Sequence, residues 1–190
     1  MEEEMSGRLT VTCGPMFAGK STALQSDIEL FASPYRIFKP ELDTREQGRI
    51  ILHNGSYVDA IEIDATDGSL SAHLDGDVKT VFIDEIQFFG SWITREIIYL
   101  ILERNIDVHV YGLDLDYKGG AWPRMSELLP LADEVRKLKA VCQMCGKFAS
   151  KTVRISHEEY QNQVLVGAAD LYEPRCNLHF AEHFYDTLDS

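Results

Sequence analysis

Gly14, Gly19, Lys20 and Ser21 stand at the spacing G-x4-G-K-S within Gly14-Pro15-Met16-Phe17-Ala18-Gly19-Lys20-Ser21. This is the pattern of a loop that wraps a phosphate chain. Glycines let backbone N–H groups curl round the anion with no Cβ in the way. Lys20 brings a point charge to the β/γ oxygens of a nucleotide such as ATP, and Ser21 offers a hydroxyl to Mg²⁺. A helix that begins at Lys20 aims the positive end of its dipole at the same anion. The competing reading is an ordinary Gly-Pro turn ahead of a helix. Context weighs against it, because Leu9–Cys13 reads as a short β-branched strand and residues 20–31 as a helix. Strand, loop and helix follow in the order the chemistry requires.

Asp84 and Glu85 close the apolar run Val81-Phe82-Ile83. In a phosphate-loop enzyme, an acidic residue ending a neighbouring strand holds Mg²⁺ directly or through water, which suits Asp84. Glu85 stands where the chain leaves the sheet and faces the same crevice. A carboxylate there can accept the proton of an attacking hydroxyl. Solvated charges terminating a strand are the alternative for both.

Cys142-x2-Cys145 and Cys176-x2-His179 are two pairs at metal-ligand spacing, together a tetrahedral Cys₃His set for Zn²⁺. With four protein ligands no position is left for water, so the metal is expected to be structural. It would pin both ends of a long loop, residues 146–175, that burial alone could not order. Chance thiols are the alternative. Cys13 reads as a small buried residue, and His109, His157 and His183 lack partner spacing.

The elements needed to position these groups are legible as alternating strands and helices. Strands are expected at 35–39, 79–84 and 107–113, with helices at 92–103 and 125–131 and a shorter one within 66–77. Pro40 is expected to stop the second strand, and residues 41–49 form a polar loop. A hairpin is expected over 50–63, turning at His53-Asn54-Gly55-Ser56. Trp92, Tyr99 and Met125 are read as core. Such alternation implies crossover connections and a parallel sheet. Past residue 141 helical periodicity disappears, and short strands are expected at 151–155 and 163–166. The division expected is 1–140 and 141–190.

The 190 residues suffice for one full domain, or for one domain plus a small appendage, and the apolar fraction of 45% is that of a soluble globule. Thirty-one acidic residues against 18 basic ones give a net charge of −13. That balance argues against a nucleic-acid backbone or an anionic membrane as partner. The acidic start Met1-Glu2-Glu3-Glu4-Met5 is no signal peptide, and the apolar run 97–102 is too short to span a bilayer, so a cytoplasmic protein is expected.

Taken together, the three motifs resemble the zinc-containing cytosolic (type II) thymidine kinases, over residues 9 to about 180. The stretch Gly14 to Ser21, with its Pro15-Met16-Phe17 insert, is similar to that family's phosphate loop nearly letter for letter. Asp43-Thr44-Arg45 followed by His53-Asn54-Gly55 resembles its flap. Asp84-Glu85-Ile86-Gln87-Phe88-Phe89 resembles its acidic motif, in which the glutamate is the proton acceptor. Gly112-Leu113-Asp114-Leu115-Asp116-Tyr117 is similar to the segment whose aromatic ring, here Tyr117, stacks on the pyrimidine.

The resemblance implies a P-loop, RecA-like parallel sheet flanked by helices, plus a small zinc-binding domain whose loop forms a lasso over the base. It implies nucleotide contacts from Gly14, Pro15, Met16, Phe17, Ala18, Gly19, Lys20, Ser21, Asp43, Thr44, Arg45, Asp84 and Gln87. The nucleoside would meet Met16, Leu113, Tyr117, Thr152, the backbone of Gln163, Val164, Leu165, Val166 and Gly167, and Tyr172 on the sugar side. Two departures bear on selectivity: Ala168 stands where a second glycine is common, and Gly119-Gly120-Ala121-Trp122-Pro123 differs from the family's Pro-aromatic order.

The expected reaction is phosphoryl transfer from ATP to the 5′-hydroxyl of thymidine or deoxyuridine, with Glu85 as base and Lys20, Mg²⁺ and the loop N–H groups bearing the charge. A homotetramer and feedback inhibition by dTTP are implied by the resemblance alone. The rivals are a nucleoside kinase of different base preference and a non-catalytic nucleotide- or nucleic-acid-binding zinc protein, which would need a basic face.

Overall fold

The computed structural model describes residues 6–31, 34–43, 47–51, 55–155 and 171–188. In chain order the elements are β1 Leu9–Cys13, α1 Lys20–Leu30, β2 Tyr35–Pro40, β3 Arg49–Ile51, β4 Tyr57–Asp59, β5 Ile61–Ile63, β6 Thr80–Ile83, α2 Trp92–Leu102, β7 Asp107–Gly112 and α3 Pro123–Leu128. There follow β8 Glu134–Lys137, β9 Ala140–Val141, β10 Phe148–Ala149, β11 Lys151–Arg154, β12 Tyr172–Arg175 and α4 Asn177–Leu188.

Six strands form one sheet in the order β5-β2-β6-β7-β1-β8, and every pairing in it is parallel. The period-2 alternation of strand side chains splits the core into two layers. Val81, Ile83, Val108 and Val110 meet Ile93, Ile97 and Leu100 of α2 and Met125 and Leu128 of α3 on one face. Phe82 and Tyr111 meet Leu24 of α1 on the other. β1, β6 and β7 are buried on both faces and rich in β-branched and aromatic residues, which is why they were legible. A parallel sheet also brings the carboxyl ends of its strands to one edge, where loops can build a site.

Several expectations are corrected. Tyr99 is exposed rather than core, because it lies opposite the α2 stripe of Ile93, Ile97 and Leu100. The run expected as the hairpin's return strand is two elements: β4 pairs with β3, and after Ala60 the chain joins the main sheet as β5 beside β2. Pro40 is the last residue of β2, paired with Ile63, rather than the residue beyond it. The helix expected within 66–77 is only a 3₁₀ turn, Ser71–His73. β8 escaped notice because an edge strand of sequence EVRK carries little apolar signal. Helical periodicity does not vanish beyond 141, since α4 spans twelve residues. Phe180, Ala181 and Phe184 recur along it at helical spacing, with His179, Glu182 and His183 on the other face. The strand expected at 163–166 lies outside the described residues. Among the described residues no helix is long and apolar enough to cross a membrane.

Candidate active site

The loop from Gly14 to Gly19 leaves the carboxyl end of β1 and enters α1. Gly14 has φ +151°, and a Cβ on it would come within 2.6 Å of the Leu138 carbonyl oxygen. Gly19 caps the helix at φ +85°, a left-handed backbone that other residues adopt at a cost. Phe17 takes φ +62° without being glycine and is 56% exposed. A bulky residue held left-handed in a loop marks a site whose surroundings over-determine its backbone. The first turn of α1 carries no acid to oppose its dipole. Lys20 Nζ donates to the Pro15 and Gly14 carbonyls at 2.8 and 3.2 Å, which folds the amine inside the loop. Burial lowers the Lys20 pKa, against the pull of the Glu85, Asp84 and Asp114 carboxylates.

Beside the loop, Ser21, Asp43 and Asp84 line one cleft with Arg49, Ile50 and Ile51. One hydroxyl and two carboxylates are oxygen donors of the kind Mg²⁺ takes, so the residues fit that ion. Arg49 was not singled out in the sequence, where nothing separates it from other loop arginines. Its hairpin is held to the sheet by the fully buried Lys39, which donates to the Arg49 carbonyl at 3.2 Å and pairs with Glu62 at 3.5 Å.

Glu85 turns out of β6 with φ +50°, a second non-glycine residue in the left-handed region. Its backbone N–H donates to Asp84 Oδ1 at 2.9 Å, and its Oε2 accepts from Gln87 Nε2 at 2.6 Å. Gln87 Oε1 in turn accepts the Leu113 N–H at 3.0 Å. One step along, the buried Asp114 pairs with Lys137 at 2.8 Å. Its Oδ1 has no partner within the described residues. Asp114 drew no role from the sequence, although an acid at the mouth of a buried strand was the available signal.

On the far side, Tyr117 faces Tyr172 with ring centroids 6.4 Å apart, and the Arg154 guanidinium lies 5.8 Å from the Tyr117 centroid. Arg154 was missed, and no spacing would have revealed it. Asp116 Oδ1 accepts the N–H groups of Lys118 and Gly120 at 2.9 and 2.7 Å, closing the loop that carries Tyr117. Thr152 Oγ1 accepts the Met16 N–H at 3.0 Å across 136 positions of sequence. Met16, Leu113, Tyr117, Thr152 and Tyr172 are therefore grouped at one edge of the sheet with the phosphate loop. Thr44, Arg45 and Gln163 to Gly167 lie outside the described residues.

Below the loop, Cys142, Cys145, Cys176 and His179 bring their ligand atoms within 4.8 Å of one another. Separations run from 3.2 Å (Cys176 Sγ to His179 Nδ1) through 3.6 Å (Cys142 to His179) to 3.9 Å (Cys145 to Cys176). A tetrahedron with Zn–S bonds of about 2.3 Å has S···S edges of about 3.8 Å, so the set fits zinc. Gly146 turns the knuckle at φ +71°, its N–H bonded to the Cys142 carbonyl at 2.9 Å. Burial raises the Cys142 pKa, but N–H groups of Cys176, Met144 and Cys145, helped by the Cys145 thiol, outweigh it and bring the thiol to about 6. His179 Nε2 lies 3.8 Å from a Glu182 oxygen. The small core around the cluster, Ala140, Cys142 and Ala149, packs against Ala18 of the phosphate loop.

The family model for thymidine kinase matches residues 7–180. The chain belongs to the thymidine kinase family. A thymidine kinase of Mycoplasma genitalium is 37% identical to this kinase over 177 residues, covering 91% of this chain and 83% of that one. The Cys₃His cluster matches the zinc-containing, type II branch of the family.

Proposed function

We propose that this kinase moves the γ-phosphoryl group of ATP to the 5′-hydroxyl of thymidine, with deoxyuridine as second acceptor, and that Glu85 takes the hydroxyl proton. The observation that carries the reading is a convergence: the loop after β1, Asp84-Glu85 after β6 and the Tyr117 segment after β7 all leave the same edge of one parallel sheet. A phosphoryl donor held by the first and a nucleoside held by the third would meet at the second.

Lys20 and the N–H groups of residues 14–21 hold the β and γ oxygens as their charge shifts. Ser21 and Asp84, the latter through water, would hold Mg²⁺, which when bound neutralises charge on those oxygens. Asp43, Thr44 and Arg45 form the flap, with Arg45 adding positive charge at the phosphates. Tyr117 stacks on the pyrimidine while Met16, Leu113, Thr152 and Tyr172 border it. The backbone of Gln163 to Gly167, within a lasso fastened by structural Zn²⁺, reads the base edge. Fixed N–H and C=O groups select strongly, because a mismatched base leaves them buried and unpaired.

The nucleotide half, residues 1–140, is a RecA-like P-loop unit and 141–190 the nucleoside half. The kinase acts in the cytoplasm as a homotetramer under dTTP feedback, as its family resemblance implies. Labelled ATP with a panel of deoxynucleosides tests the acceptor: thymidine should be phosphorylated fastest, and faster turnover of a purine nucleoside would overturn the assignment. Glu85→Gln should keep ATP binding and lose about 10²–10⁴ in kcat. Near-normal turnover removes Glu85 from the base role.

A further inference from the structure

Gln87 is 4% exposed and sits in the 3₁₀ turn Ile86–Phe88, directly after the left-handed Glu85. Its amide cannot be turned end for end. The Leu113 N–H, 3.0 Å away, is a donor and must meet the amide oxygen, so the NH₂ group must face the Glu85 carboxylate at 2.6 Å. Gly112 makes room for this, since a Cβ there would stand 2.4 Å from Gln87 Oε1. The result is a relay from the backbone of the Tyr117 segment, through one rigid amide, to a carboxylate oxygen.

We propose that Gln87 is a positioning residue, one that registers the Glu85 carboxylate against the nucleoside-holding segment 112–117, rather than a nucleotide contact as the sequence resemblance implied. The proposal rests on the base role of Glu85. A carboxylate on a flexible stem loses productive geometry readily, and a displacement of about 1 Å costs about 10²-fold in rate. A donor on one oxygen of Glu85, held in turn by a strand end, fixes that rotamer.

The experiment is a double-mutant cycle on the whole chain, comparing Gln87→Met, Glu85→Gln and the pair. Gln87→Met should lower kcat about 10–100-fold with KM for thymidine and ATP within about threefold of wild type. In the Glu85→Gln background the same change should cost less than twofold, because the residue it serves no longer acts. An equal loss in both backgrounds, or a normal kcat in Gln87→Met beside a crippled Glu85→Gln, overturns the relay alone. Normal turnover in Glu85→Gln overturns the base assignment and the relay with it. Should Gln87→Met fail to fold, Gly112→Ala disturbs the same contact, since its methyl would stand 2.4 Å from the Gln87 oxygen and 2.7 Å from Ile86 Cγ2. It should give the same kcat loss at steady KM, and unchanged kinetics would count against the relay.

Discussion

Lys20 and His109 both ordinarily carry or take up a proton near neutrality, and the fold buries them for different ends. The Glu85, Asp84 and Asp114 carboxylates pull the Lys20 pKa upward against its burial, which supports the ammonium inside the loop. His109 lies on β7, 7% exposed, stacked on Phe82 at 5.1 Å and edge-on to Phe31 at 5.0 Å. Burial holds its pKa below the ordinary 6.5, with Asp27, Asp107 and Glu134 pulling upward and Arg136 downward. Below pH 6.5 the unfolded chain therefore takes up a proton that the folded chain refuses. The stability tied to this residue is whole above 6.5 and falls as the pH drops below it, by at most about 1.4 kcal/mol per pH unit. Urea unfolding of wild type and His109→Phe from pH 5 to 8 should show the wild type losing stability faster on the acid side. Parallel curves would show that His109 titrates alike in both states. At this scale Lys20, Ser21, Asp84 and the Cys₃His set stand out in the sequence, because their types and spacing are the ones such chemistry asks for. The left-handed backbones of Phe17 and Glu85 were invisible, since neither residue type asks for that conformation.

The elements matter chiefly through what two of them share. β11 and the loop after β1 are joined by a side-chain bond, Thr152 Oγ1 accepting the Met16 N–H. Thr152 is 4% exposed, so a lost acceptor there leaves a backbone N–H short of a partner. Thr152→Val should cost about 1–3 kcal/mol in stability and raise KM for both ATP and thymidine. A change confined to the thymidine KM would mean that Thr152 serves the base and not the loop. The sheet was largely readable from β1, β6 and β7, short runs rich in β-branched and aromatic residues that are buried on both faces. β8 was not, because an edge strand needs little apolar residue of its own, whereas α4 carries an amphipathic pattern that the ligand spacing of Cys176 and His179 overlays.

Across the whole molecule the metal cluster lies under the phosphate loop rather than at a remote end of the chain. Three small buried side chains form its core, each worth about 0.8 kcal/mol per methyl-sized group, against about 10–16 kcal/mol apparent for a structural zinc. Zinc held by the four ligands would therefore contribute more to the folding of this part than that small core does. Removing it should raise KM for thymidine through the lasso and, by way of Ala18 and Met16, KM for ATP as well. Elemental analysis should find one zinc per chain, and kinetics after chelation should move both constants. An unchanged ATP constant would show that the loop stands without its support.

By itself the sequence determined what is local and chemically demanding: a phosphate loop bracketed by a strand and a helix, two acids at a strand end, and two ligand pairs at zinc spacing. Those patterns are legible because each is set by the few residues that carry it. Only the tertiary structure decided how they meet, with Gln87 bridging Glu85 and Leu113, Thr152 reaching Met16, and the cysteines packed on Ala18. Such contacts join positions far apart in the chain through ordinary residue types, and nothing in one-dimensional spacing distinguishes them until the sheet has brought its strand ends to one edge.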